Sequence, residues 1–160
     1  YIRTLKLHQN RSKIENKITS NSWSKDDLLN LYDIYMELNI KQQADFLAFT
    51  IINNSNSEEL LNFIVTLSYS KNEKLLETAI QKFINNNSNS ITSYLDIAFV
   101  QLSTNKKNEM YKTFQECIEK NGLKSITVLR NDKIFKSIEN ELRFKKILNS
   151  NINFSKEFAF

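Results

Sequence analysis

A chain of 160 residues that is 41% apolar and 11% aromatic is too rich in anchors to stay disordered, and long enough to bury the core of one domain without disulfides or metals. Cys117 is the only cysteine, so an intrachain disulfide and a cysteine-based zinc site are both excluded. The net charge of +4 comes from 22 Lys and Arg scattered among 18 Asp and Glu, without the clustered stripe that marks a nucleic-acid partner.

There is no proline and a single glycine, Gly122. A chain this poor in the two strongest breakers turns on Asn and Ser, and nearly everything between those turns can be helix. The fold class expected is therefore all-α, built from helical hairpins. No apolar run approaches the roughly 20 residues that span a bilayer, and the chain is read as soluble, without membrane insertion. It begins with Tyr1 rather than Met, which reads as a processed chain or a domain cut from a longer protein.

Residues 1–20 carry a weak stripe of Ile2, Leu5, Ile14 and Ile18, a leading helix or the remnant of a linker. From Ser24 the pattern sharpens. Ser24 with Asp27 three residues on has the form of a capping box, and Leu28, Leu31, Tyr32, Tyr35 and Leu38 then fall on one helical face. Asn39 breaks that helix. Ala44, Leu47, Ala48, Ile51 and Ile52 make a second, with small residues where a neighbour must come close, and 53–56 stop it.

The arrangement then repeats. Leu60, Leu61, Ile64 and Leu67 form a helix after Ser57, and Ser70 with Glu73 predicts a capping box opening another through Leu75, Leu76, Ala79, Ile80 and Phe83. A run of Asn and Ser over 85–90 closes it. Tyr94, Leu95, Ala98, Phe99 and Leu102 make the next first helix, and Met110, Tyr111, Phe114, Cys117 and Ile118 its partner, which ends at Asn121-Gly122 with a left-handed cap. Corresponding points recur at roughly 31 to 35 residues, the period of helix-turn-helix solenoids.

These residues resemble the tetratricopeptide repeat family over roughly 24–122. Leu31, Tyr35, Leu38 and Asn39, then Ala44, Ala48 and Ile51, follow its pattern in the first hairpin. Leu60, Ile64, Leu67 and Ser68, then Leu75 and Ala79, follow it in the second; Leu95, Phe99, Leu102 and Ser103, then Met110, Phe114 and Cys117, in the third. The turn glycine and inter-repeat proline of the family are missing throughout. Leu129, Asp132, Phe135, Ile138, Phe144, Ile147 and Leu148 over 123–150 resemble the closing helix pair of such proteins, with Asp132 and Asn140 at cap positions. The tail 151–160, with Phe154, Phe158 and Phe160, is read as folding back on the solenoid, with a docking peptide as the alternative.

The resemblance implies an α-solenoid of about three hairpins that binds a protein or peptide on its concave face. Carried across by position, that face comprises Asp26, Asp33, Met36 and Glu37 from the first hairpin, Asn62, Val65 and Thr66 from the second, and Ser93, Ile97, Val100 and Gln101 from the third. Leu29 and Asp33 stand where a carboxylate-clamping member carries Lys and Asn, so an acidic mouth over an amide-lined floor suits a neutral or basic peptide. Catalysis, cofactors and metal are not expected. His8 is the only histidine and stands without a partner motif, Cys117 occupies a core position, and one glycine cannot build a phosphate loop. The alternative class is an accessory helical domain that positions the active part of a larger enzyme or membrane-associated machine.

Overall fold

A computed structural model describes residues 2–70 and 72–150, and every regular element among them is helical. In chain order these are α1 (Ile2–Thr19), α2 (Lys25–Glu37), α3 (Lys41–Asn54), α4 (Ser57–Ser68), α5 (Glu73–Asn86), α6 (Ile91–Ser103), α7 (Lys107–Asn121), α8 (Leu123–Asn131), a 3-10 turn (Lys133–Ile138) and α9 (Leu142–Ser150). The tail 151–160 lies outside the described residues.

The turns show how a chain without proline ends its helices. Asn21, Asn39, Ser88 and Asn105 adopt φ of 54°, 58°, 57° and 60°, left-handed values that Asn tolerates better than other residues with a Cβ. Each sits just past a helix and closes it with the paired bonds of a Schellman motif. After α2, the Ile40 N–H donates to the Tyr35 carbonyl at 2.8 Å and the Asn39 N–H to that of Met36 at 3.1 Å; after α6, Lys106 donates to Gln101 at 2.7 Å and Asn105 to Leu102 at 3.2 Å. Gly122 is different. Its φ of 64° goes with a ψ of −153°, outside the left-handed helical region expected of it and in one essentially reserved for glycine, and it joins α7 directly to α8.

Helix starts follow the sequence in part. The box at Ser24 forms: the Asp27 N–H donates to Ser24 Oγ at 3.2 Å, and the Ser24 N–H to Asp27 Oδ2 at 2.9 Å. The box expected at Ser70 does not form. Asn72 caps α5, accepting from the Leu75 N–H at 3.2 Å, while Ser70 Oγ donates to the Leu67 carbonyl and finishes α4. Asp132 caps the 3-10 turn through Ile134 N–H at 2.9 Å, whereas the Asn140 side chain accepts from Lys145.

Instead of the single domain that length favours, the chain divides into two compact units, Tyr1–Asn56 and Ser57–Phe160. In the first, α1 and α3 both pack on α2. Ala44 and Ala48 are fully buried, which lets α3 approach closely, and Leu31, Tyr32 and Ile52 complete the core. In the second, α4 pairs with α5 and α6 with α7, while α6 also touches α4, α5 and α8. Phe114 stands at the centre of its C-terminal cluster, edge-on to Phe135 at 4.9 Å and tilted against Phe144 at 5.7 Å. Ile126, Leu129, Ile138, Ile147 and Leu148 complete the cover over Met110, Tyr111 and Ile118. A polar clasp fastens α9 to the start of α7: Glu141 accepts from Tyr111 Oη and Lys107 Nζ, each at 2.7 Å, and Arg143 lies 4.7 Å over the Tyr111 ring.

Candidate binding groove of the first unit

α1 contributes no fully buried residue, and its hold on α2 is largely polar. Lys17 Nζ meets Asp27 Oδ1 at 2.8 Å, Arg3 meets Glu37 at 3.0 Å, and Tyr35 Oη donates to Glu15 Oε1 at 2.8 Å. The Lys17 ammonium and the Ser24 N–H hold the Asp27 carboxyl down at about 2. Burial and the Glu15 carboxylate push Tyr35 up to about 12, so its hydroxyl stays a donor throughout the neutral range.

α1 and α3 each pack on α2 and make little contact with one another. A groove of about 530 Å³ remains between them, floored by Leu28, Leu31 and Tyr35 of α2. Ile18 forms one wall, Phe46 and Leu47 the other, and Trp23 the end. That size falls in the range of sites that hold ligands or partner side chains, and the surface is overwhelmingly apolar. Two of the largest apolar side chains of the unit stand at its lip: Phe46 is 76% exposed and Trp23 42% exposed. The polar groups within reach are Glu15, Thr19, Gln42, Gln43 and Thr50, and Glu15 is already engaged by Tyr35 and by Arg11 at 3.5 Å. This is the chemistry of a seat for apolar side chains. Among the described residues, no group of three or more His, Cys, Asp or Glu is placed to hold a metal ion.

The residues assigned from the sequence to a concave face are only partly brought together. Asp26, Asp33, Met36 and Glu37 do share one exposed stripe of α2, along with Leu29 and Asn30. Partial desolvation and the neighbouring Glu37 raise the Asp33 carboxyl. Asn62, Val65 and Thr66 likewise share an exposed stripe of α4. The third set must be corrected. Ser93, Ile97, Val100 and Gln101 are buried, because α6 is enclosed by α4, α5, α7 and α8 and buries a wide face against them. What α6 exposes is the opposite stripe, Thr92, Phe99 and Ser103, so Phe99 is 48% exposed where the repeat pattern assigns it to packing.

The groove itself was missed in the sequence, although two signals pointed toward it. Phe46 and Phe49 lie off the apolar stripe of α3, and the only Trp precedes the Ser24 cap without a place in any helical face. Trp23 and Leu28 hold the N′ and N4 positions of a hydrophobic staple, and both line the groove. His8 is exposed on α1, and Cys117 is buried, its thiol pushed up by desolvation. No helix among the described residues is long and apolar enough to cross a membrane. In comparisons with known proteins, no family model, no curated protein and no solved structure matches the chain.

Proposed function

We propose that this protein is a non-catalytic interaction scaffold of tetratricopeptide-like architecture, and that it seats an apolar segment of a protein partner in the groove between α1 and α3. On this reading α2/α3 in the first unit and α4/α5 and α6/α7 in the second are repeat hairpins, and α8, the 3-10 turn and α9 cap the second unit. Three observations support the architecture: the repeated pairing of consecutive helices, the covering of Phe114 by the C-terminal segment, and the matching left-handed Asn39 and Asn105, two periods of about 33 residues apart.

The observation that carries the binding role is the apolar groove with Phe46 and Trp23 at its lip. Large apolar side chains left in water cost roughly 1.5–3 kcal/mol each relative to burial, and a partner that covers them recovers that free energy. Selection of a randomised peptide library on the whole chain tests this. Enriched peptides carry large apolar anchors, and Phe46→Asp, a change at an exposed position, removes their binding. Enrichment without apolar anchors, or undiminished binding to the Phe46→Asp chain, overturns the reading.

A further inference from the structure

Leu7, Arg11, Ile14, Glu15 and Ile18 are the half-buried residues of α1, and at helical spacing they make its inner face. A cation in that row needs an explanation. Arg11 keeps only 29% of its side-chain surface in water, and its Nε is buried with no hydrogen-bond partner among the described residues. Buried charges are almost always paired and hydrogen-bonded. Glu15, one turn further along α1, does not supply that bond: its Oε1 accepts from Tyr35 Oη at 2.8 Å and stands 3.5 Å from Arg11 Nε. The other cations of α1 that pair with α2 are closed, Lys17 on Asp27 at 2.8 Å and Arg3 on Glu37 at 3.0 Å. Arg11 is also next to the groove. Glu15, Ile18 and Thr19 line it from α1, and Arg11 continues that line by one turn at the end away from Trp23, where its charge reaches Tyr35 on the floor.

We propose that Arg11 is the polar anchor of the groove, and that it takes an Asp or Glu side chain carried by the same partner segment whose apolar side chains fill the groove. This rests on the reading of the groove as a seat for a protein segment, and names the chemistry that segment carries. A guanidinium offers a carboxylate two parallel N–H donors, a geometry that an ammonium cannot match. The arriving carboxylate gives Arg11 the hydrogen bonds that Glu15, held by Tyr35, does not. The bond from Tyr35 Oη also offsets part of the Glu15 charge, which otherwise opposes the newcomer. Spacing follows from the helix. Arg11 and Ile18 are seven residues apart, about 10 Å along α1. The acidic residue of the partner therefore stands about three residues from a large apolar anchor in an extended segment, or about two turns from it in a helical one.

The test is selection of a randomised peptide library on the whole chain and on its Arg11→Gln variant in parallel, with the peptides displayed through their C-termini so that only side-chain carboxylates are offered. Both chains select large apolar anchors, and only the parent adds an Asp or Glu at a fixed spacing from them. For a peptide selected on the parent, replacing that acid by its amide weakens binding, read by Trp23 emission, roughly threefold to tenfold on the parent and not at all on Arg11→Gln. The difference shrinks as salt rises. The amide peptide binds the two chains alike, which shows that the groove of the variant is intact. Apolar anchors selected by the parent without an acidic residue, or an amide replacement that costs the same on both chains, overturn the assignment and leave the groove reading standing. If neither chain selects apolar anchors, both fall.

Discussion

At the scale of single residues, the work that glycine and proline do in most helical proteins falls here to Asn. A left-handed residue with a Cβ costs roughly 1–2 kcal/mol relative to glycine, less for Asn because its short side chain bonds locally. Asn105 holds φ 60° between α6 and α7 with both bonds of its closing motif made. Asn105→Ala therefore destabilises the chain by about 1 kcal/mol, whereas Asn105→Gly leaves stability unchanged or slightly higher, as chemical denaturation of the two variants will show. Asp27 supplies a pH-dependent counterpart. Its folded value of about 2 lies below the ordinary 3.8, so its contribution is complete above about pH 4 and is lost as pH falls through 2. Denaturant midpoints measured from pH 5 to pH 2 fall less steeply in Asp27→Asn than in the parent chain.

Helix positions and most helix ends were legible in the sequence, because capping residues and the 3.6-residue period are local properties. Ser24, Ala44, Ala48 and Cys117 all occupy the places their pattern implies. The facing of α6 was not legible. Its apolar residues nearly encircle it, and only the number of helices packed around it decides which stripe is left in water. Ile97 is fully buried and Phe99 half exposed, the reverse of what a repeat template suggests. Ile97→Ala accordingly costs about 2–5 kcal/mol and Phe99→Ala under about 1 kcal/mol, a contrast that thermal or denaturant unfolding of the two variants checks directly. The Ser70 cap failed for a related reason: Ser70 and Asn72 compete for one helix start, and Ser70 Oγ is already bonded back to the Leu67 carbonyl.

At the scale of the whole molecule, the boundary between the two units left no mark in the composition. Residues 53–56 stop α3 with the same Asn and Ser used inside the hairpins, so nothing distinguishes a break between units from a turn within one. The closing segment is plainer. Its Phe and Ile positions cover Met110, Tyr111, Phe114 and Ile118, and exposing those four at roughly 1.5–3 kcal/mol each approaches the 5–15 kcal/mol of a typical domain. A chain truncated after Asn121 therefore loses the cooperative folding of its second unit, seen as a missing or broadened transition in circular dichroism.

The groove between α1 and α3 was the part of the site hardest to read, since it depends on how both helices pack on α2. It also contains its own reporter, because Trp23 is the only tryptophan. The most direct measurement of the proposed role is Trp23 emission during titration of the whole chain with a selected apolar-anchored peptide. Seating in the groove predicts a saturable shift to shorter wavelength that Phe46→Asp abolishes. Binding that leaves Trp23 emission unmoved would contradict it.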